Sequence, residues 1–175
     1  MRKNGEKKQL RILIIGLLCV LLAGAAAAFD GGEGPDGEHH TLTDAAALLG
    51  QADPATAELF SGGEEYWTED HATFLGRVYR TELYGQPVTL FTVCGRDGTV
   101  EAVNIRITGD GEKTAEELLT AWQDRVTAFT GVEMRTSGTE TAPAYRWTTA
   151  DRICTLRLNS GVLTLGIHPA EGELH

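Results

Sequence analysis

Apolar and polar positions change period several times along the chain, and each change marks an element. From Ile12 to Phe29 nothing alternates: the run ILIIGLLCVLLAGAAAAF holds no charge. Asp30 to His40, DGGEGPDGEHH, then has no aliphatic residue and four glycines, which predicts a flexible spacer. Helical spacing begins at Thr41-x-x-Asp44, a capping box, with Ala45, Leu48 and Leu49 on one face before Gly50. Asp53-Pro54 starts a second short helix as cap acid and first-turn proline, carrying Ala57 and Phe60.

Period-two patterning follows. The segment 71–84 is rich in β-branched and aromatic residues, Gly85-Gln86-Pro87 turns into the strand 88–94, and Asp97-Gly98 is a hairpin signal before the strand 100–107. The longest helix opens at the capping box Thr114-x-x-Glu117, repeats Leu118, Trp122, Val126 and Phe129 at helical spacing, and ends at Gly131. A polar loop leads to strands 144–147, 151–158 and 162–168, the last two joined through Asn159-Ser160-Gly161. The expected order is α-α-β-β-β-α-β-β-β. This is an α+β fold, an antiparallel sheet of about six strands in two meanders with helices on one face.

Charge divides the chain at Phe29. The 175 residues carry a formal net charge of −10, but residues 1–29 hold five basic residues against one acid, +4, and the rest holds ten basic against 24 acidic residues, −14. Basic residues before an apolar run predict an N-terminus held in the cytoplasm and an acidic part sent across the membrane. Residues 12–29 lie between the length of a signal-peptide core and that of a transmembrane helix, and Ala26-x-Ala28 offers a cleavage site. The expectation is therefore a single-pass cell-membrane protein with its domain outside, or a secreted one if cleaved near Ala28. The expected divisions are 1–29 signal anchor or signal peptide, 30–41 linker, 42–170 extracytoplasmic domain and 171–175 frayed tail. Nucleic acid is not an expected partner, because Lys113 is the only lysine after residue 29.

The stretch Leu42-Thr43-Asp44-Ala45-Ala46-Ala47-Leu48-Leu49-Gly50-Gln51-Ala52-Asp53-Pro54 resembles the opening of BamE-type (SmpA/OmlA) envelope lipoproteins. Those proteins resemble the β-lactamase-inhibitor-protein fold, so the resemblance implies a helix pair ahead of an antiparallel meander. Tyr84-Gly85-Gln86-Pro87, Tyr145-Arg146-Trp147 and Gly161-Val162-Leu163-Thr164-Leu165 are similar to phrases in uncharacterised exported proteins of anaerobic Gram-positive bacteria. The chain departs from the lipoprotein pattern at Gly16-Leu17-Leu18-Cys19, which lacks the small residue beside a lipid-bearing cysteine, and in its second helix with further strands. Only the fold carries over, and a fold does not name a function.

Three groups could carry chemistry. Glu64, Glu65, Tyr66, Trp67, Glu69, Asp70 and His71 form the densest polar cluster, a sugar or calcium site or the centre of a hydrolase if the side chains converge, and otherwise a solvated acidic loop. Trp67 is the aromatic expected at the surface. Cys94 and Cys154 sit near strand centres, where an exported location permits a disulfide; the inward parity of Cys154 beside Leu156 favours buried thiols. Arg77, Arg106 and Arg157, if they share the wet sheet face with Asn104 and Thr155, make a guanidinium patch for carboxylates or phosphates. The blander reading is cross-strand pairing with Glu82 and Glu101.

No phosphate loop, dinucleotide fingerprint, zinc spacing or serine elbow occurs, and no cofactor or metal is expected. The sequence thus points to a membrane-tethered, non-catalytic module that binds a protein or cell-envelope component. An alternative is a secreted inhibitor of a cell-wall or lactam-directed enzyme, and a second is a hydrolase using the Glu64–His71 cluster.

Overall fold

The computed structural model describes residues 39–108, 114–139 and 142–170, all within one compact unit, Glu33–His175. Two short helices come first, α1 (Leu42–Ala47) and α2 (Asp53–Leu59). Four strands follow: β1 (Glu64–Trp67), β2 (Phe74–Leu83), β3 (Gln86–Cys94) and β4 (Val100–Ile107). After helix α3 (Ala115–Thr130) come β5 (Arg135–Thr139), β6 (Ala142–Thr148), β7 (Arg152–Asn159) and β8 (Val162–Pro169). All eight strands form one antiparallel sheet in the order β1-β2-β3-β4-β8-β7-β6-β5, so two four-strand meanders meet at β4 and β8.

This corrects the expected fold of about six strands in two three-strand meanders. The two missed strands, β1 and β5, are the outermost ones. Edge strands bury little, so alternation does not mark them: every residue of β5 (RTSGT) is exposed, and β1 (EEYW) has one half-buried position. The inner strands are marked well. Ile105 of β4 lies opposite Leu90 of β3 and Leu165 of β8, which lies opposite Leu156 of β7, and all four are fully buried.

The helices seat on that apolar face. Leu42, Ala45 and Leu48 from the first helical segment, Phe60 after α2, and Leu118, Trp122 and Val126 of α3 join one cluster with Leu90, Ile105, Leu165 and Trp147. The Trp147 indole N–H donates to Thr127 Oγ1 at 2.9 Å, so its buried polar atom is satisfied from α3. Both expected capping boxes form: Thr41 N–H donates to Asp44 Oδ2 at 2.7 Å and Thr114 N–H to Glu117 Oε2 at 2.7 Å. Gly131 closes α3 in the left-handed conformation with φ 68°.

Asp53 departs from its expected capping role. Ala52 is the N-cap, and Asp53 sits inside the first turn, buried. His40, expected in the spacer, is tied to the sheet: its carbonyl accepts from Tyr84 N–H at 2.9 Å and its ring stacks on Phe60 at 4.5 Å.

Among the described residues no helix is long and apolar enough to cross a membrane. The longest, α3, has 16 residues and carries Glu116, Glu117, Asp124 and Arg125 against a need for about 20 apolar ones. This finding stands against the expected single-pass placement and its transmembrane helix, which are withdrawn. The apolar run 12–29 that suggested them, most of the spacer and the tail 171–175 lie outside the described residues.

Candidate functional site: the helix-free face of the sheet

Side chains directly opposite one another across strands point to the same face, so the register assigns each arginine. One row runs Arg80–Thr89–Arg106–Thr164–Arg157–Ala144–Ser137 from β2 to β5. The adjacent row crosses all eight strands, from Glu64 and Val78 through Asn104 and Thr155 to Arg146 and Arg135. These residues alternate with the buried apolar set, and among the described residues no helix packs on them.

Arg106 and Arg157 therefore share the helix-free face, each directly opposite Thr164. Arg77 does not, which corrects the expected patch of three. It has the parity of Tyr79 and Leu83 and points under α2. Its Nε donates to Asp53 Oδ2 at 2.9 Å and Oδ1 at 3.1 Å, Nη1 to the Gly63 carbonyl at 3.2 Å and Nη2 to Glu65 Oε1 at 3.0 Å. The hydrogen bond to Asp53 pushes the guanidinium pKa up. Arg77 is a clamp joining α2, β1 and β2, with each of its three guanidinium nitrogens engaged.

The clamp sits in a wider polar layer. Thr56 Oγ1 donates to the Asp53 carbonyl at 2.7 Å, which leaves the Tyr79 hydroxyl as the donor in its 2.6 Å bond to Thr56. Burial pushes the Tyr79 pKa up. Beside it Gly76, at φ 144°, lets β2 approach β3 so closely that a Cβ there would stand 2.1 Å from the Thr92 carbonyl oxygen.

Glu82 lies opposite Pro87 with its carboxylate 3.9 Å from His39, and the partner of Arg80 is Glu64, at 3.0 Å. The Glu64–His71 cluster does not converge. Adjacent residues of β1 face opposite sides, so Glu64 goes to Arg80 and Glu65 to Arg77. Asp70 caps its own turn, accepting from Thr68 and from Ala72 N–H, and the Thr68 bond lowers its pKa most. Trp67 is 42% exposed and packs edge-on against Phe74. Among the described residues no group of three or more potential metal ligands occurs.

Of the two readings open for the cysteines, a permitted disulfide or buried thiols, the bridge is absent: Cys94 and Cys154 are both free. Cys94 pairs with Val100 on β4 and Cys154 with Ile167 on β8, so two strands stand between them. Three strand spacings put their backbones roughly 14 Å apart, twice what a disulfide spans. Burial pushes Cys94 up to about 11 and Cys154 up to about 12, so neither is a thiolate near neutrality.

Two arginines on the helix-free face were not picked out from the sequence. Arg146 of β6 and Arg135 of β5 are directly opposite each other, and Arg157 is the diagonal neighbour of Arg146 across Thr155. All three are exposed. Among the described residues none of the three has an ion-pair partner, whereas Arg80 and Arg152 are held by Glu64 and Asp151. Arg146 was legible from its alternation with Trp147; Arg135 lies in a segment that reads as a polar loop.

Compared with known proteins, the chain matches no family model, no curated protein and no solved structure.

Proposed function

We propose that this chain is a non-catalytic binding module that presents the helix-free face of its sheet to a protein partner. The observation that carries the reading is the face itself: eight strands in register, its polar rows uncovered among the described residues, with arginines standing among threonines. The other face is filled by helices and apolar side chains. A sheet needs only one buried face for stability, so an arginine-bearing second face is available for recognition. Glu64, Glu65 and Asp70 of the acidic cluster are used within the fold, and the two cysteines remain protonated near neutrality. Inhibition of a cell-wall or lactam-directed enzyme is a special case of this reading, and an enzyme assay with the added chain distinguishes it.

Thr164→Trp tests the face. It places a ring between Arg106 and Arg157 while leaving the helix side untouched. Full-length chain is used to capture a partner from the source cells, and the purified partner is then titrated against wild type, Thr164→Trp and the helix-surface control Glu58→Gln. Loss of binding in Thr164→Trp alone supports the reading; equal binding by all three overturns it.

A further inference from the structure

The second meander carries an unusual charge distribution. Strands β5 to β8 contain Arg135, Arg146, Arg152 and Arg157 and no Asp or Glu, in a chain whose net charge is −10. Arg152 faces the helix side, over the Phe129 ring at 5.2 Å and paired with Asp151. The other three form a triangle on the helix-free face. Arg135 and Arg146 are opposite each other, with Cβ atoms about 5 Å apart, and Arg157 is diagonal at about 7–8 Å. Like charges directly opposite on a sheet destabilise it, and no acid among the described residues relieves these two. The flanking side chains are Ala144, Thr155 and Ser137, small enough to leave the guanidinium forks accessible.

We infer that Arg135, Arg146 and Arg157 form the recognition site for an acidic protein segment, two or three carboxylates spaced to take the three guanidiniums. This inference rests on the sheet-face reading and names the chemistry of the partner. Guanidinium forks match carboxylates bidentately, and the complementary charge relieves a repulsion already built into the sheet. A nucleic acid fits less well. Three charges make no track along a phosphate backbone, and Trp67 for base stacking is at the opposite edge of the sheet.

The test uses the full chain and a variant with Arg135→Gln, Arg146→Gln and Arg157→Gln together. Probes are a fluorescent glutamate oligomer of about 12 residues and an oligothymidylate of equal charge, titrated at about 50 mM and about 300 mM salt to vary the screening length. The glutamate oligomer is expected to bind at low salt, to weaken with salt and to bind the triple variant at least about tenfold more weakly. The variant is expected to unfold at an equal or higher urea concentration, because repulsion has been removed, which separates lost binding from lost folding. Absence of glutamate binding, binding unchanged in the variant, or tighter binding of the oligothymidylate would each overturn the inference. If the glutamate oligomer fails while Thr164→Trp still abolishes capture of the native partner, the sheet-face reading stands and only the acidic-segment assignment falls.

Discussion

Removing the Arg77 guanidinium is expected to act on stability far more than on recognition, because its charge is spent inside the fold. Arg77→Ala strips Asp53 of both its hydrogen bonds from Nε and of the Nη2 contact at 2.9 Å, and leaves the Gly63 carbonyl without its donor. The Asp53 side chain is only 9% exposed, so its carboxylate has little water to turn to. Breaking such a pair from one side costs about 3–5 kcal/mol. Asp53→Ala should cost less, about 1–3 kcal/mol, because Arg77 keeps Glu65 and the Gly63 carbonyl. In the double variant the two losses should fall short of additivity by more than about 1 kcal/mol, since each single variant already removes the shared interaction. Urea unfolding followed by tryptophan fluorescence suits the measurement, because Trp122 and Trp147 are fully buried. An Arg77→Ala cost below about 1 kcal/mol, or strict additivity with Asp53→Ala, would refute the clamp and return Arg77 to the surface.

Three further outcomes follow from the same geometry. Gly76→Ala should destabilise by about 2 kcal/mol or more, because both the left-handed backbone and the Thr92 carbonyl oppose a Cβ; calorimetry reads this as a lowered melting temperature. Iodoacetamide should leave Cys94 and Cys154 unmodified in the native chain near pH 7, with Cys94 reacting only as pH approaches about 11 or on unfolding, followed by mass spectrometry; rapid labelling at pH 7 would contradict the burial argument. Arg146→Thr should stabilise the chain by roughly 0.2–1 kcal/mol at low salt by removing the like-charge contact with Arg135, and the gain should shrink as salt is added.

The sequence disclosed elements in proportion to how much surface they bury. The inner strands were readable because Val103, Ile105 and Ile107 alternate with polar residues, and α3 because its capping box and Gly131 bracket an apolar stripe. β1 and β5 were not, because an edge strand with solvent on one side and an exposed face carries no alternation. Parity explains the mixed outcome for the arginines. Arg106 and Arg157 alternate with buried neighbours, which sets both on one face, but Arg77 has the parity of the core, and Asp53, 24 residues away in sequence, is what makes that position tolerable. The Arg135–Arg146 contact depends on β5 being a strand at all, so it could not be reached before the sheet was complete.

We propose the arginine triangle on β5, β6 and β7 as the place where an acidic partner sits. Footprinting with an arginine-selective dicarbonyl reagent reads that contact residue by residue: the full chain is modified with and without the glutamate oligomer, and each arginine is quantified by peptide mass spectrometry. Arg135, Arg146 and Arg157 are expected to be reactive alone and protected together by the oligomer, while Arg77, held by Asp53 and Glu65, is slow in both. Protection confined to other arginines, or none at all under conditions where the oligomer binds, would contradict it.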